Sequence, residues 1–194
     1  MKLLLATKNP GKVAEMRSLL AALPLDLVSA AEMEGAPDVN EDADTLEGNA
    51  RKKAEALFAF SGLPTLADDT GLEVGALEGR PGVHSARYAG PNADDAANRQ
   101  KLLEELDGAE DRTARFRTVV IYVDETGLHH FEGICPGTIL DEERGRGGFG
   151  YDAVFVPDGT DRSFAELPSE EKNEVSHRGR ALRLAALYLR DRFA

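Results

Sequence analysis

Cysteine is nearly missing: Cys135 stands alone in 194 residues. That excludes an intrachain disulfide and any cysteine-rich metal cluster, and it fits a reducing compartment. Positive charge is also short. The chain has 35 acidic residues against 23 basic ones, a net charge of −12, and such a field repels a phosphate backbone over long range. A nucleic-acid polymer is therefore not an expected partner, whereas a small nucleotide is compatible, because a local basic pocket outweighs the distant field. Long apolar runs are missing as well. Met1 to Ala6 is too short for a signal peptide or a membrane span, and polar Thr7-Lys8-Asn9 follows at once. The expectation is a buried first strand in a cytoplasmic protein without membrane contact. The GxxxxGK[ST] spacing of a Walker loop does not occur, nor do internal repeats or low-complexity tracts. What remains is 42% hydrophobic and 30% charged residues, the composition of a soluble globular chain with one well-buried core. Residues 1–194 are expected to form a single domain.

The chain is organised around Leu63 to Leu72, where a short apolar run leads into Asp68, Asp69, Thr70 and Gly71. Asp is depleted from strands, so the pattern predicts a strand that ends at the two carboxylates. On an extended backbone Asp68 and Asp69 point to opposite faces, so one aims at a site while the other braces the turn. An Asx-turn that merely closes the strand is the plainer reading. Upstream, Thr7-Lys8-Asn9-Pro10-Gly11-Lys12 reads as a tight loop before a helix whose stripe is Val13, Met16, Leu19, Leu20 and Leu23. Backbone amides, the positive helix end and Lys12 suit an anion there, and an ordinary turn in which Pro10 and Gly11 provide only geometry is the equal alternative. Leu25 to Val28 reads as a second strand, and Glu32 to Asp44 as an acidic loop. Asp44 with Glu47 suggests a capping box for a helix to Ser61, with Leu46, Ala50, Ala54 and Leu57 on its buried face. Lys53 falls inside that sector and Asn49 one turn before it, so the lysine either snorkels outward or faces a polar site that needs a cation.

Further on, Glu78 to Tyr88 reads as a loop in which His84 and Arg87 are candidate ligand contacts, with a surface role the plainer reading for a lone His in a loop. Asn92 is placed as the cap of a helix carrying Leu102, Leu103 and Leu106, stopped at Gly108. Ala114 to Val123, Leu128 to Glu132 and Gly133 to Leu140 read as three strands, the first two joined by a turn at Glu125-Thr126-Gly127. Gly145 to Asp152 holds four glycines and two aromatics in eight residues, which lets a backbone approach a flat ligand while Phe149 offers a stacking face. Ala153 to Val156 reads as a strand. The final helix carries Leu182, Leu184, Ala185, Leu189 and Phe193. With Ser176 as its cap, His177 and Arg178 sit against the dipole in the first turn and call for an acceptor, which a nucleotide base or phosphate would supply.

Taken together, Thr7 to Lys12, Asp44 to Lys53, Ala67 to Leu72, Pro81 to Tyr88, Gly148 to Asp152, Glu171 to Asn173 and Ser176 to Arg178 resemble the motifs of the inosine triphosphate pyrophosphatases, in order and with similar spacing. These enzymes hydrolyse non-canonical purine nucleoside triphosphates such as ITP, dITP and XTP to the monophosphate and pyrophosphate. The resemblance implies an α/β fold with an elongated, mixed twisted β-sheet flanked by helices, two lobes around a deep central cleft, a Mg²⁺ requirement and a homodimer. It assigns Thr7, Lys8, Asn9, Pro10, Gly11, Lys12 and Lys53 to the phosphates. Asp69 becomes general base and metal ligand, with Glu41 as second metal carboxylate. It gives Thr70 a substrate contact and Phe149, Gly150, Tyr151 and Asp152 the base-stacking loop. Lys172, His177 and Arg178 read the purine 6-oxo edge. Lys8, His84 and Ala153 depart from residues common in the family, at the phosphate loop, the rim and the end of the glycine-rich loop. The alternatives are a Maf-like pyrophosphatase of other specificity, or a non-catalytic nucleotide-binding protein, which would need no base or metal carboxylate.

Overall fold

Leu3, Leu4 and Leu5 are fully buried in strand β1 (Lys2–Leu5), as a continuous apolar run flanked on both sides by parallel neighbours requires. The computed structural model describes residues 1–193; the side chain of Phe193, assigned from the sequence to the final helix's stripe, lies outside the described residues. Strand β1 pairs in parallel with β2 (Asp26–Ser29) and with the start of β3 (Thr65–Val74). Strand β3 also pairs antiparallel with the two-residue β4 (Pro81–Gly82). Two long strands, β5 (Thr113–Asp124) and β6 (Gly127–Ile139), are joined by the turn at Glu125-Thr126, and β6 pairs antiparallel with β7 (Phe155–Pro157). The mixed sheet thus runs β2-β1-β3-β5-β6-β7, with β4 beside β3.

The chain divides into two compact units. The first comprises Met1–Asp69, Thr118–Gly133 and the segment from Arg178 onward. Its core packs Leu3, Leu5 and Leu66 of the sheet against Met16 and Leu20 of α1 (Pro10–Leu20), and against Ala181, Leu182, Ala185 and Leu189 of α5 (His177–Phe193). Each of those buried leucines contributes about 1.5–3 kcal/mol. The second unit comprises Thr70–Arg117 and Ile134–His177. It has its own core, in which Leu102 of α3 (Asp95–Glu105) meets Leu72, Val74, Phe116, Phe155 and Phe164.

Several boundaries move from where the sequence puts them, each for a local reason. Helix α1 begins at Pro10 rather than after Lys12, because the Asn9 side chain accepts from the Lys12 amide at 3.1 Å and proline suits the first helical position. Leu23 falls beyond its end. Helix α2 (Leu46–Ser61) is capped by Thr45, whose hydroxyl accepts from the Gly48 amide at 3.0 Å, so Asp44 and Glu47 form no capping box. Helix α3 is capped by Asp94 in place of Asn92. Strand β6 is one strand of 13 residues where the sequence suggested two. The expected junction at Gly133 lies inside the continuous strand, and a Cβ at Gly137 would clash with the Val156 carbonyl oxygen, so that glycine allows close approach of β7. Strand β7 begins at Phe155, two residues late, and the segment around Glu171 to Asn173 is a short helix, α4 (Ser169–Val175). Leu184 is exposed, although the sequence places it on the buried stripe of α5.

Strand β3 departs most from expectation. It runs straight through Asp68, Asp69 and Thr70 to Val74. The carboxylates do not end it because each finds buried partners, and beyond them Leu72 and Glu73 pair with β4.

Candidate active site

In the first unit, Asp68 and Asp69 are both buried and point to different partners, as alternation along a strand requires. Asp68 accepts from the Lys12 ammonium at 3.2 Å and from Arg178 Nε at 3.0 Å; Arg178 Nη1 also reaches Glu15 at 2.5 Å. Burial alone would raise the Asp68 carboxyl, but Lys12 and Arg178 outweigh it and hold it well below the usual carboxylate range. The same burial lowers the Lys12 ammonium despite Asp68 beside it.

Asp69 has the opposite setting. Its Oδ2 accepts from Asn49 Nδ2 at 3.1 Å, and its Oδ1 lies 3.8 Å from the Lys53 ammonium, which bonds Glu41 at 2.7 Å. Burial raises the Asp69 carboxyl above its ordinary value against the pull of Lys53 and Lys12. Burial also opposes charge on Lys53, but Asp69, Asp68 and Glu41 outweigh it and raise its pKa. A carboxylate made more basic, next to a fixed cation, is a setting for general-base work on a polyanion. Helix α2 delivers both supporting residues: Leu46, Asn49, Ala50, Lys53, Ala54 and Leu57 form its buried face. Asn49 is fixed at its other end, where Oδ1 accepts from the Ala43 amide at 2.9 Å. Lys53 therefore does not snorkel outward; it is 8% exposed and faces carboxylates.

Of the other residues that the resemblance assigns to the phosphates, Thr7 Oγ1 accepts from the Asn9 amide at 3.2 Å, and Asn9, Pro10 and Gly11 open α1. Lys8 is exposed and pairs with Asp38 at 2.6 Å, a surface contact worth about 0–1 kcal/mol. Arg178 finds acceptors for its place against the helix dipole in the carboxylates of Asp68 and Glu15. Sequence reasoning missed Glu15, whose position three residues after Lys12 on α1 puts both on one face of that helix.

In the second unit the glycine-rich stretch is an ordered loop. Asp152 is buried and its Oδ2 accepts from the Phe149 amide at 2.9 Å and from the Lys172 ammonium at 2.6 Å. That ammonium lies 5.0 Å from the centre of the Phe149 ring, within cation–π range. Gly148 has φ +72°, and a Cβ there would meet Asp152 Oδ2 at 2.0 Å, so the position requires glycine. Tyr151 donates to the Ser85 carbonyl at 2.8 Å, and His177 stacks on Phe116 with centroids 4.4 Å apart. Thr70 is half-buried on β3. His84 lines a cavity of about 300 Å³ with Arg80, Arg87 and Tyr88.

Among the described residues no group of three or more His, Cys, Asp or Glu side chains gathers as a metal site. Glu41 and Asp69 nevertheless offer hard oxygens around a cation, the Lys53 ammonium. Mg²⁺ typically takes only one or two protein carboxylates and fills its shell with water and phosphate oxygens, so the pair suits it.

Residues 3–188 match the model of the Ham1 family. The chain is 50% identical to the dITP/XTP pyrophosphatase of Desulforamulus reducens, covering 95% of this chain and 94% of that one. It is 51% identical to the enzyme of that name from Porphyromonas gingivalis, with 98% and 96% covered. Among solved structures, a HAM1 protein from Coxiella burnetii superposes with a TM-score of 0.88 at 41% identity, covering 97% of this chain and 98% of that one. The nucleoside-triphosphatase, dITP/XTP pyrophosphatase, of Mycobacterium abscessus gives 0.76 at 43% identity, with 96% and 98% covered. The chain belongs to the Ham1 family. That membership sets aside the Maf-like alternative.

Proposed function

We propose that this protein hydrolyses non-canonical purine nucleoside triphosphates, dITP, ITP and XTP, to the nucleoside monophosphate and pyrophosphate. The observation that carries the reading is Asp69: a buried carboxylate raised in basicity, held by Asn49, with Lys53 beside it. Identity near 50% over almost the full length of dITP/XTP pyrophosphatases supports the substrate class.

In this reading Asp69 takes the proton from the attacking water, and Lys53, Lys12 and the Thr7 to Gly11 segment receive the phosphates. Glu41 and Asp69 would hold Mg²⁺, whose charge neutralises the polyphosphate and its developing negative charge. Base selection rests on the loop of Phe149, Gly150, Tyr151 and Asp152, with Lys172, His177 and Arg178 assigned to the purine 6-oxo edge and Thr70 to a substrate contact. Lys172 has the firmest support, because its ammonium is fixed by Asp152 beside the Phe149 ring. An ammonium pairs with a 6-oxo group and confronts the N–H donors of a 6-amino group, and a donor left unmatched costs factors of about 10⁴. Among the described residues no helix is long and apolar enough to cross a membrane; a cytoplasmic homodimer is the setting we assign. A screen of eight common and non-canonical triphosphates for pyrophosphate release, with and without Mg²⁺, tests the proposal. It expects activity on dITP, ITP and XTP far above that on the 6-amino triphosphates ATP and dATP, and only with the metal.

Lys53→Ala removes a charge-assisted contact worth about 1.5–3 kcal/mol, so KM for XTP is expected to rise roughly ten- to a hundredfold. Steady-state kinetics and thermal unfolding on the same sample check this. A sharp fall in melting temperature with KM unchanged would make Lys53 a purely structural cation.

A further inference from the structure

One residue of the glycine-rich loop, Gly150, is gripped at both its backbone N–H and its carbonyl by a single helix. The Gly150 amide donates to Asp95 Oδ2 at 2.7 Å, and Arg99 Nη1 donates to the Gly150 carbonyl at 2.8 Å. Asp95 and Arg99 are four residues apart at the start of α3, so their side chains share one face. Arg99 is steadied in turn by Glu143, which its Nε reaches at 2.8 Å. The helix is itself well fixed. Asp94 caps it through the Ala97 amide at 2.8 Å, and buried Asn98 bonds the Ala89 amide at 2.8 Å and the Ala86 carbonyl at 3.2 Å. Leu102 anchors the next turn in the core.

The Asp152 amide closes the turn onto the Phe149 carbonyl at 3.2 Å, while Gly150 at its tip has φ +60° and open space where a Cβ would be, so the grip of α3 adds an external hold at that point. Gly150 immediately follows Phe149, whose amide bonds Asp152, and Asp152 in turn fixes the Lys172 ammonium. A displaced Gly150 backbone would therefore carry the Phe149 ring and the Asp152 carboxylate with it.

We infer that Asp95 and Arg99 are positioning residues for base recognition: a charged pair on α3 that clamps the two peptide groups flanking Gly150 and so sets the stacking face and the Lys172 donor. This rests on the proposed role of the Phe149 to Asp152 loop in reading the purine. The base is remote from the reacting phosphate, so loosening its seat removes binding common to ground and transition states, which raises KM and spares kcat.

The test uses the full chain with Asp95→Ala, Arg99→Ala and Asp95→Asn, the last keeping a carbonyl oxygen as acceptor. For dITP the two alanine variants are expected to show a KM about tenfold higher with kcat within about twofold, as loss of a hydrogen bond to a charged group predicts. Asp95→Asn should stay within about threefold of wild type. Amide exchange in the Gly145 to Asp152 segment should speed up in the alanine variants. Unchanged KM in both alanine variants, or a fall in kcat alone with lowered melting temperature, overturns the inference. Should the wild-type protein show no preference for dITP over dATP, the functional reading beneath it fails. Amide exchange then decides the clamp by itself: faster exchange supports it, and unchanged exchange overturns it.

Discussion

Asp69→Asn is expected to reduce turnover of dITP by about 10²- to 10⁴-fold, the loss that follows removal of a general base. The substitution is nearly isosteric. It leaves an amide oxygen where Asn49 Nδ2 now donates at 3.1 Å, and it removes a charge that burial already disfavours. The fold should therefore be untouched, with a melting temperature within a few degrees of wild type. Rates from pyrophosphate release and a thermal melt on one preparation are sufficient. A variant that keeps a tenth of the wild-type rate would show that another group takes the proton.

Asp68→Asn, one residue earlier, should do the reverse and damage stability first. Asp68 is the shared partner of two buried cations, Lys12 and Arg178, and its depressed carboxyl pKa shows that the folded state favours its charge. Removing one member of a buried ionic set costs about 3–5 kcal/mol, because the opposite charges remain in a medium that does not solvate them. Glu15 still holds Arg178, so the lower end is expected, about 3 kcal/mol. For a chain of this size that corresponds to a melting temperature lower by roughly 6–12 °C. The adjacent pair then separates by stability: Asp69→Asn removes turnover with the fold kept, whereas Asp68→Asn lowers stability and weakens binding only through the loosened Lys12 and Arg178. Equal melting temperatures for the two variants would mean that the Lys12, Asp68 and Arg178 cluster is not a structural tie.

The sequence made parts of this legible because they depend on local geometry. The 100° spacing of a helix puts Lys53 and Asn49 on the buried face of α2 without any knowledge of what they meet. The two-residue period of a strand separates Asp68 from Asp69 in the same way. What local pattern could not supply was the partner of each group. Arg178 and Glu15 are 163 residues apart, Arg178 and Asp68 are 110 apart, and nothing near Arg178 in sequence announces either carboxylate. The continuation of β3 past two aspartates has the same origin, since those long-range cations offset the aversion of Asp for strands. Gly150, Asp95 and Arg99 belong to this class too: the glycine marks a turn in the sequence, but only the fold brings α3 to it. Helix α4 was invisible for a simpler reason, being seven residues long with no apolar period to detect.

The most direct measurement is a competition in which the purified protein, with Mg²⁺, receives dITP and dATP together, and both monophosphates and pyrophosphate are followed with time. The account predicts that dITP is converted to dIMP with one pyrophosphate released per turnover, while dATP is consumed more slowly by a factor of about 10⁴, the discrimination that an unmatched hydrogen-bond donor imposes. Comparable consumption of the two nucleotides, or release of orthophosphate in place of pyrophosphate, would contradict it.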